Sequence, residues 1–161
     1  MAIKPILQLG DPQLYEKSIE VKLQDLESIK LIVQNLHDTI INFQKEFKCG
    51  RAIAAPQIGY KKRILYMHID HPEVFINPVL IFPDEEMIEL WDDCMSFPPL
   101  LVKVRRHLHC TIKYTNLQWK QCSMELNRDL SELLQHEYDH LDGILAVQRA
   151  IDLKSFKMKK V

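Results

Sequence analysis

The stretch LLQHEYDHLDG, residues 133 to 143, places His136 and His140 four apart with Glu137 directly after the first. On a helix that spacing puts both imidazoles on one face, where they can hold one metal ion. Glu137 is then offset from the pair, able to reach a metal-bound water without ligating the metal, as a general base must. The bland reading is a solvated helix face, but amphipathicity alone does not demand histidines there. A structural site takes four protein ligands, whereas a catalytic one takes three and keeps a position for water. The sequence follows the long protease form His-Glu-x-x-His-x-x-Gly-x-x-His up to its last position, where it has Ala146. Beyond His140 there is no His, Cys or Glu, and only Asp142 and Asp152 offer carboxylate oxygens. A third ligand must therefore come from upstream.

Upstream, ELWDDCMSFPPLL holds Cys94 in a turn-prone stretch between an apolar run and two prolines. Its thiolate would complete a Cys-His-His set with a fourth position open. The plain alternative is a buried free cysteine, and that reading is assigned to Cys49, Cys110 and Cys122. The rival histidines are His68 with His71, and His107 with His109 in HLHC. Strand alternation would put the last two on one face, with no carboxylate base beside them. In CGRAIAAPQIGY, residues 49 to 60, the small residues Gly50, Ala52, Ala54 and Ala55 leave room for a ligand or another backbone to approach. Gln57 is a neutral donor suited to an oxyanion. Such a stretch can equally serve close packing.

These residues need elements to hold them. From Asp25, apolar residues Leu26, Ile29, Val33, Leu36, Ile40, Phe43 and Phe47 recur at steps of three and four, which predicts a long core-facing helix with His37 and Glu46 solvated. From Gly50 to about Thr115, runs such as RILYMHI, VFINPVLIF, LLVKV and LHCTIKY alternate with Pro, Gly and Asp clusters, which predicts antiparallel strands. LSELLQHEYDHL returns to a helical period, with Leu130, Leu133, Leu134, Tyr138 and Leu141 as its buried side and Gly143 as its stop. The fold class is α+β: a long N-terminal helix, small antiparallel sheets, and a C-terminal helix carrying the histidines.

The chain as a whole bounds the partners. Its 161 residues, 47% hydrophobic and 27% charged, suit one domain spanning 1–161. A formal charge of −1 gives no electrostatic case for nucleic acid or a membrane. No apolar run is long enough to cross a bilayer. MAIKPILQLGDP lacks the basic flank and apolar region of a signal peptide, and a cytoplasmic setting is expected. The basic tail DLKSFKMKKV is read as a solvated terminus.

Taken together and in order, the three stretches resemble the peptide deformylase family. Gly50 to Gln57 is similar to its Gly-x-Gly-x-Ala-Ala-x-Gln motif, with Ala52 for the second glycine. Asp92-Asp93-Cys94-Met95-Ser96 is similar to Glu-Gly-Cys-Leu-Ser, and Gln135 to His140 matches Gln-His-Glu-x-Asp-His in full. LGDPQLYEKSIEV and INPVLI extend the resemblance over essentially the whole chain. It implies removal of the N-formyl group from the formyl-methionine of nascent polypeptides at the ribosome, releasing formate. By the same resemblance Cys94, His136 and His140 would bind one divalent metal, Fe2+ in the cell, with Zn2+, Ni2+ or Co2+ able to occupy the site. Glu137 would act as base and then acid, and Gln57 and the Met95 N–H would hold the oxyanion. Gly50, Ala52, Asp93, Glu132 and Leu133 would line the substrate pocket.

The departures from the family pattern carry expectations of their own. Asp92 in place of glutamate is expected to anchor the cysteine loop to Arg105 or Arg106. Glu132 has two readings: a pocket residue one turn before His136, or the partner of Asp129 in a capping box. Together with Ala52 and Asp93 it keeps an alternative open, a divergent enzyme acting on another N-formyl or N-acyl amine. A non-catalytic metal-binding relative is the other alternative.

Overall fold

The computed structural model describes residues 2–160. Helix α1 (Leu26–Phe47) buries Ile29, Val33, Leu36, Ile40 and Phe43, and it ends where Lys48 turns left-handed at φ 57°. Phe47, the last of the apolar stripe, stays on the surface and stacks on Phe43 with ring centroids 4.4 Å apart. His37 is not free in solvent: its Nδ1 lies 2.7 Å from the Tyr66 hydroxyl. Glu46 is exposed.

A five-stranded antiparallel sheet runs in the order β1 (Ala52–Ala54), β2 (Ile64–His68), β3 (Pro72–Ile81), β6 (His109–Thr115) and β7 (Gln121–Asn127). Its first three strands are covered on both faces, which is why they read as nearly unbroken apolar runs. Ile53, Ile64, Tyr66, Val74 and Ile76 face α1. Ala52, Ala54, Leu65, Met67 and Phe75 face the other way, onto Leu133, Leu134 and Leu141 of α2 (Asp129–Leu141). Each such large side chain, fully buried, contributes roughly 1.5–3 kcal/mol. Ala52 and Ala54 therefore have a packing reason to be small, since α2 crosses close over β1.

A second sheet has three strands in the order β4 (Met87–Asp92), β5 (Leu100–His107) and β8 (Phe156–Met158). It packs Val102 and Val104 against Leu14, Phe97, Leu145 and Cys94. The two sheets and α2 are joined by the N-terminal run. Leu7 N–H donates to Gln57 O, Leu9 N–H to Ser96 O and Ser18 N–H to Leu141 O, each at 2.8 Å. That run thus touches all three stretches that hold candidate site residues.

Three expectations change here. The strands continue past Thr115 into β7, which puts Cys122 in a strand. Its alternating exposed pattern hid it in a polar-looking stretch. The tail is not a free terminus, because β8 pairs with β5 through Leu100 and Met158, Leu101 and Lys157, and Val102 and Phe156. His107 ends β5 while His109 begins β6, so they do not share one strand face. His109 Nδ1 instead lies 2.9 Å from Asp84 Oδ2, a carboxylate brought in by the β3–β4 connection. His68 closes β2 and packs edge-on against His37, while His71 is exposed.

Candidate active site

Helix α2 presents His136 and His140 as two buried imidazoles with ring centroids 5.1 Å apart. Cys94 enters from the loop between β4 and β5, and its Sγ lies 3.3 Å from His140 Nε2. Cys94, His136 and His140 each offer one donor atom, and all three donors fall within 4.8 Å of one another. Among the described residues only Asp84, Glu86 and His109 form another such group, and it is on the surface without a buried base.

Behind the donors is a chain of charge. His136 Nδ1 meets Asp92 Oδ2 at 2.8 Å, and the same oxygen accepts from Arg106 Nη2 at 3.0 Å. Arg106 Nη1 reaches Asp139 at 2.7 Å, and Arg149 closes the chain on Asp139 from outside. Arg106 is thus the anchor of Asp92, while Arg105 turns to the surface and pairs with Glu89. Burial pushes the Asp92 carboxyl up, but His136 and Arg106 outweigh it and hold its pKa at about 2. Burial also opposes a charged His136, yet Asp92 and the Cys94 sulfur win and raise its pKa well above the ordinary value. Burial, reinforced by His136, holds His140 well below it.

The group fits a divalent cation. With the Nδ1 proton committed to Asp92, His136 keeps Nε2 for a metal, and the carboxylate raises its basicity as a ligand. Asp92 and the Cys94 sulfur favour positive charge at His136, which a bound cation would supply. One sulfur and two imidazoles suit zinc, iron, nickel or cobalt.

Glu137 is 4% exposed, and its Oε2 has no hydrogen-bond partner among the described residues. Burial raises its pKa to about 7, where a carboxyl can both take and return a proton near neutrality. It lines a cavity of about 350 Å³ with Cys94 and His136. Gly50, Ala52, Asp93, Met95, Glu132 and Leu133 line the same cavity. Gln57 and His140 are behind that surface. Gln57 Oε1 accepts from the Ala54 N–H at 2.9 Å, which turns Nε2 towards Ser96 Oγ at 3.2 Å and Cys94 Sγ at 3.5 Å. The Ser96 N–H also approaches Cys94 Sγ at 3.5 Å.

Of its two readings, Glu132 takes the cavity. The residue capping α2 is Arg128, no side-chain cap forms there, and Glu132 Oε1 accepts instead from Arg51 Nη2 at 2.8 Å. Arg51 and Lys159 are cavity residues that sequence reasoning missed, as it missed Asp139. Arg51 was in plain view beside Gly50. Lys159 had no local signal, because its place depends on β8 pairing far from the motifs. Asp139 was available as a residue three after His136.

A helix with two histidines and a base, met directly by a loop cysteine beside a cavity that residues of both sheets line, defines a metallohydrolase of the His-Glu-x-x-His class. A family model for polypeptide deformylase matches residues 3–156. The peptide deformylase of Pseudothermotoga lettingae is 34% identical over 158 residues, covering 98% of this chain and 89% of that protein. That of Natranaerobius thermophilus is 35% identical, covering 93% and 94%. The crystal structure of peptide deformylase from Thermotoga maritima superposes with a TM-score of 0.86 at 29% identity, covering 94% of this chain and all (100%) of that one. A Met-Ala-Ser-bound class I type b peptide deformylase from Acinetobacter baumannii gives 0.83 at 25% identity, covering 92% and 98%. The chain belongs to the polypeptide deformylase family, metal-dependent hydrolases that remove the N-formyl group from nascent polypeptides.

Proposed function

We propose that this chain removes the formyl group from the formyl-methionine of nascent polypeptides with Cys94, His136 and His140 holding one divalent ion. Ferrous iron is the ion we assign in the cell, and the cytoplasm is the compartment. The observation that carries the reading is the convergence of those three donors within 4.8 Å of one another, beside a cavity lined by Glu137, which is buried with an unpartnered oxygen. When bound, the ion supplies Lewis acidity, which acidifies a water and polarises the formyl oxygen.

The chain's own groups do the rest. Glu137 accepts a proton from the attacking water, keeps it in its buried, near-neutral environment, and returns it to the departing amine. The C–N bond breaks, the formyl carbon keeps the added oxygen, and the second proton of the water also ends on the amine, so formate and a protonated amine leave. Gln57 Nε2, aimed by the Ala54 N–H, and the Met95 N–H are donors for the oxyanion, each contributing about 3 kcal/mol at the barrier. Gly50 bears on the cavity for a specific reason. At its φ of +102° an added Cβ would meet Phe43 at 3.0 Å and the Met95 sulfur at 3.3 Å, so a side chain there would press on the oxyanion loop. Ala52, Leu133 and Leu90 give the cavity apolar surface for a methionine side chain.

Glu132 favours a second reading, a substrate with a polar or cationic first side chain. Arg51 already occupies the Glu132 carboxylate, so that wall has no net charge, and this supports the methionine reading. The test is anaerobic loading with iron, followed by formate release from formyl-Met-Ala-Ser. Release is expected from the native chain and not from Glu137→Ala. A metal-loaded chain that frees no formate from any formyl-Met peptide overturns the proposal.

A further inference from the structure

The loop carrying Cys94 and Met95 runs from Asp93 to Pro99, between β4 and β5. Its middle is held by Phe97 N–H on Cys94 O at 3.1 Å, by Leu9 N–H on Ser96 O at 2.8 Å and by Gln57 Nε2 on Ser96 Oγ at 3.2 Å. Pro98 and Pro99 have no N–H to donate, and the two ends of the loop are held from the far end of the chain. Lys159 N–H donates to Pro99 O at 2.8 Å, and Lys159 Nζ donates to Asp93 Oδ2 at 2.7 Å. One residue thus grips both ends of the loop. It follows directly on β8, whose Met158 pairs with Leu100, and Lys157 Nζ stands 4.0 Å over the Trp91 ring at the loop's entrance. Lys159 also lines the active-site cavity.

We propose that Lys159 is a positioning residue: through Asp93 and Pro99 it fixes the cysteine loop, so that the residue following the C-terminal strand supports the active site. This builds on the reading that Cys94 is a metal ligand and Met95 an oxyanion donor. Asp93 has a clear part in it. A glycine at this position has no side chain for Lys159 to hold, so Asp93 and Lys159 form a matched pair. Asp93 is 52% and Lys159 32% exposed at the side chain, and an ion pair this open adds little to global stability. Its effect is geometric, since a reacting group displaced by about an ångström can lose about a hundredfold in rate.

The experiment compares the native chain with Lys159→Met, Lys159→Arg, Asp93→Gly and the Asp93→Gly/Lys159→Met double variant. In the metal-free protein, amide exchange over residues 93–97 is expected to quicken in Lys159→Met and Asp93→Gly, while exchange over α1 stays the same. In the cobalt-loaded protein, the thiolate-to-cobalt absorption should shift or broaden in the same two variants. Formyl-Met-Ala-Ser turnover should fall about tenfold to a hundredfold in kcat with KM nearly unchanged. Lys159→Arg should restore most of each readout, and the double variant should be no worse than either single one.

Unchanged loop exchange in Lys159→Met overturns the proposal whatever the enzyme's activity. Additive losses in the double variant overturn the pairing of Asp93 with Lys159. Absence of thiolate-to-cobalt absorption from the native chain would count against Cys94 as a ligand, a separate failure from that of loop exchange.

Discussion

Asp92 Oδ2 serves two partners at once, His136 and Arg106. An amide in its place keeps the shape but loses the charge that makes His136 a strong ligand. Asp92→Asn should weaken metal binding about 10–100-fold, read by competition with a chelator. Glu137 titrates in the opposite sense. Burial raises its folded pKa from 4.5 to about 7, so its contribution to stability is complete below about pH 4.5 and is lost as pH rises through about 7. Glu137→Gln should therefore abolish turnover yet stabilise the metal-free protein above pH 7 by on the order of 3 kcal/mol. Thermal melts at pH 8 and pH 4 check this, with no gain expected at the lower pH. Arg51→Ala would leave the Glu132 carboxylate alone in the cavity. KM for a formyl-Met peptide should rise about tenfold, and relative preference should move towards a formyl-Lys peptide in a side-by-side assay. Little of this could be read from single letters. Glu132 had two equally sound local readings, and only the position of Arg51, just before β1, decided between them.

At the scale of elements, the histidine helix is held at its end as well as along its face. Ser18 N–H caps Leu141 O, and Gly143 passes against the Tyr15 carbonyl, where an added Cβ would be 2.4 Å from the oxygen at a φ of +72°. The obstacle is backbone, which cannot rotate away. Gly143→Ala should destabilise by about 1–3 kcal/mol and loosen His140 with it, seen as a lower Tm and weaker metal binding. The sequence reading placed a helix stop at Gly143, but not its reason. The same holds for Ala52 and Ala54, small because α2 crosses them. The two helices were legible because the apolar period of an α-helix is local. β7 and β8 were not, since a strand exposed on one face has few apolar letters and needs a partner to exist.

For the whole molecule, the N-terminal run supplies Ile6 and Val21 to one apolar cluster and Leu7 and Leu14 to another, and site residues Met95, Leu133 and Cys94 belong one to each of the three. We expect residues 1–161 to unfold as one cooperative unit, with a single calorimetric transition. Metal should raise that transition, by about 4 kcal/mol at a thousandfold excess over its Kd, and a chelator should reverse the gain. Two resolved transitions, only one of them sensitive to metal, would contradict the single-unit expectation. No helix of the described residues is long and apolar enough to cross a membrane.

By itself the sequence determined the chemistry available: two imidazoles and a carboxylate at helical spacing, a cysteine in a proline-bounded loop, and an amide among small residues. Those features depend only on residue type and local period, and both are written along the chain. The tertiary structure alone decided which charges meet: Arg106 between Asp92 and Asp139, Arg51 on Glu132, Lys159 on Asp93. Such pairs join elements distant in sequence, and their energies depend on distance and burial, which exist only once the sheets and helices have packed.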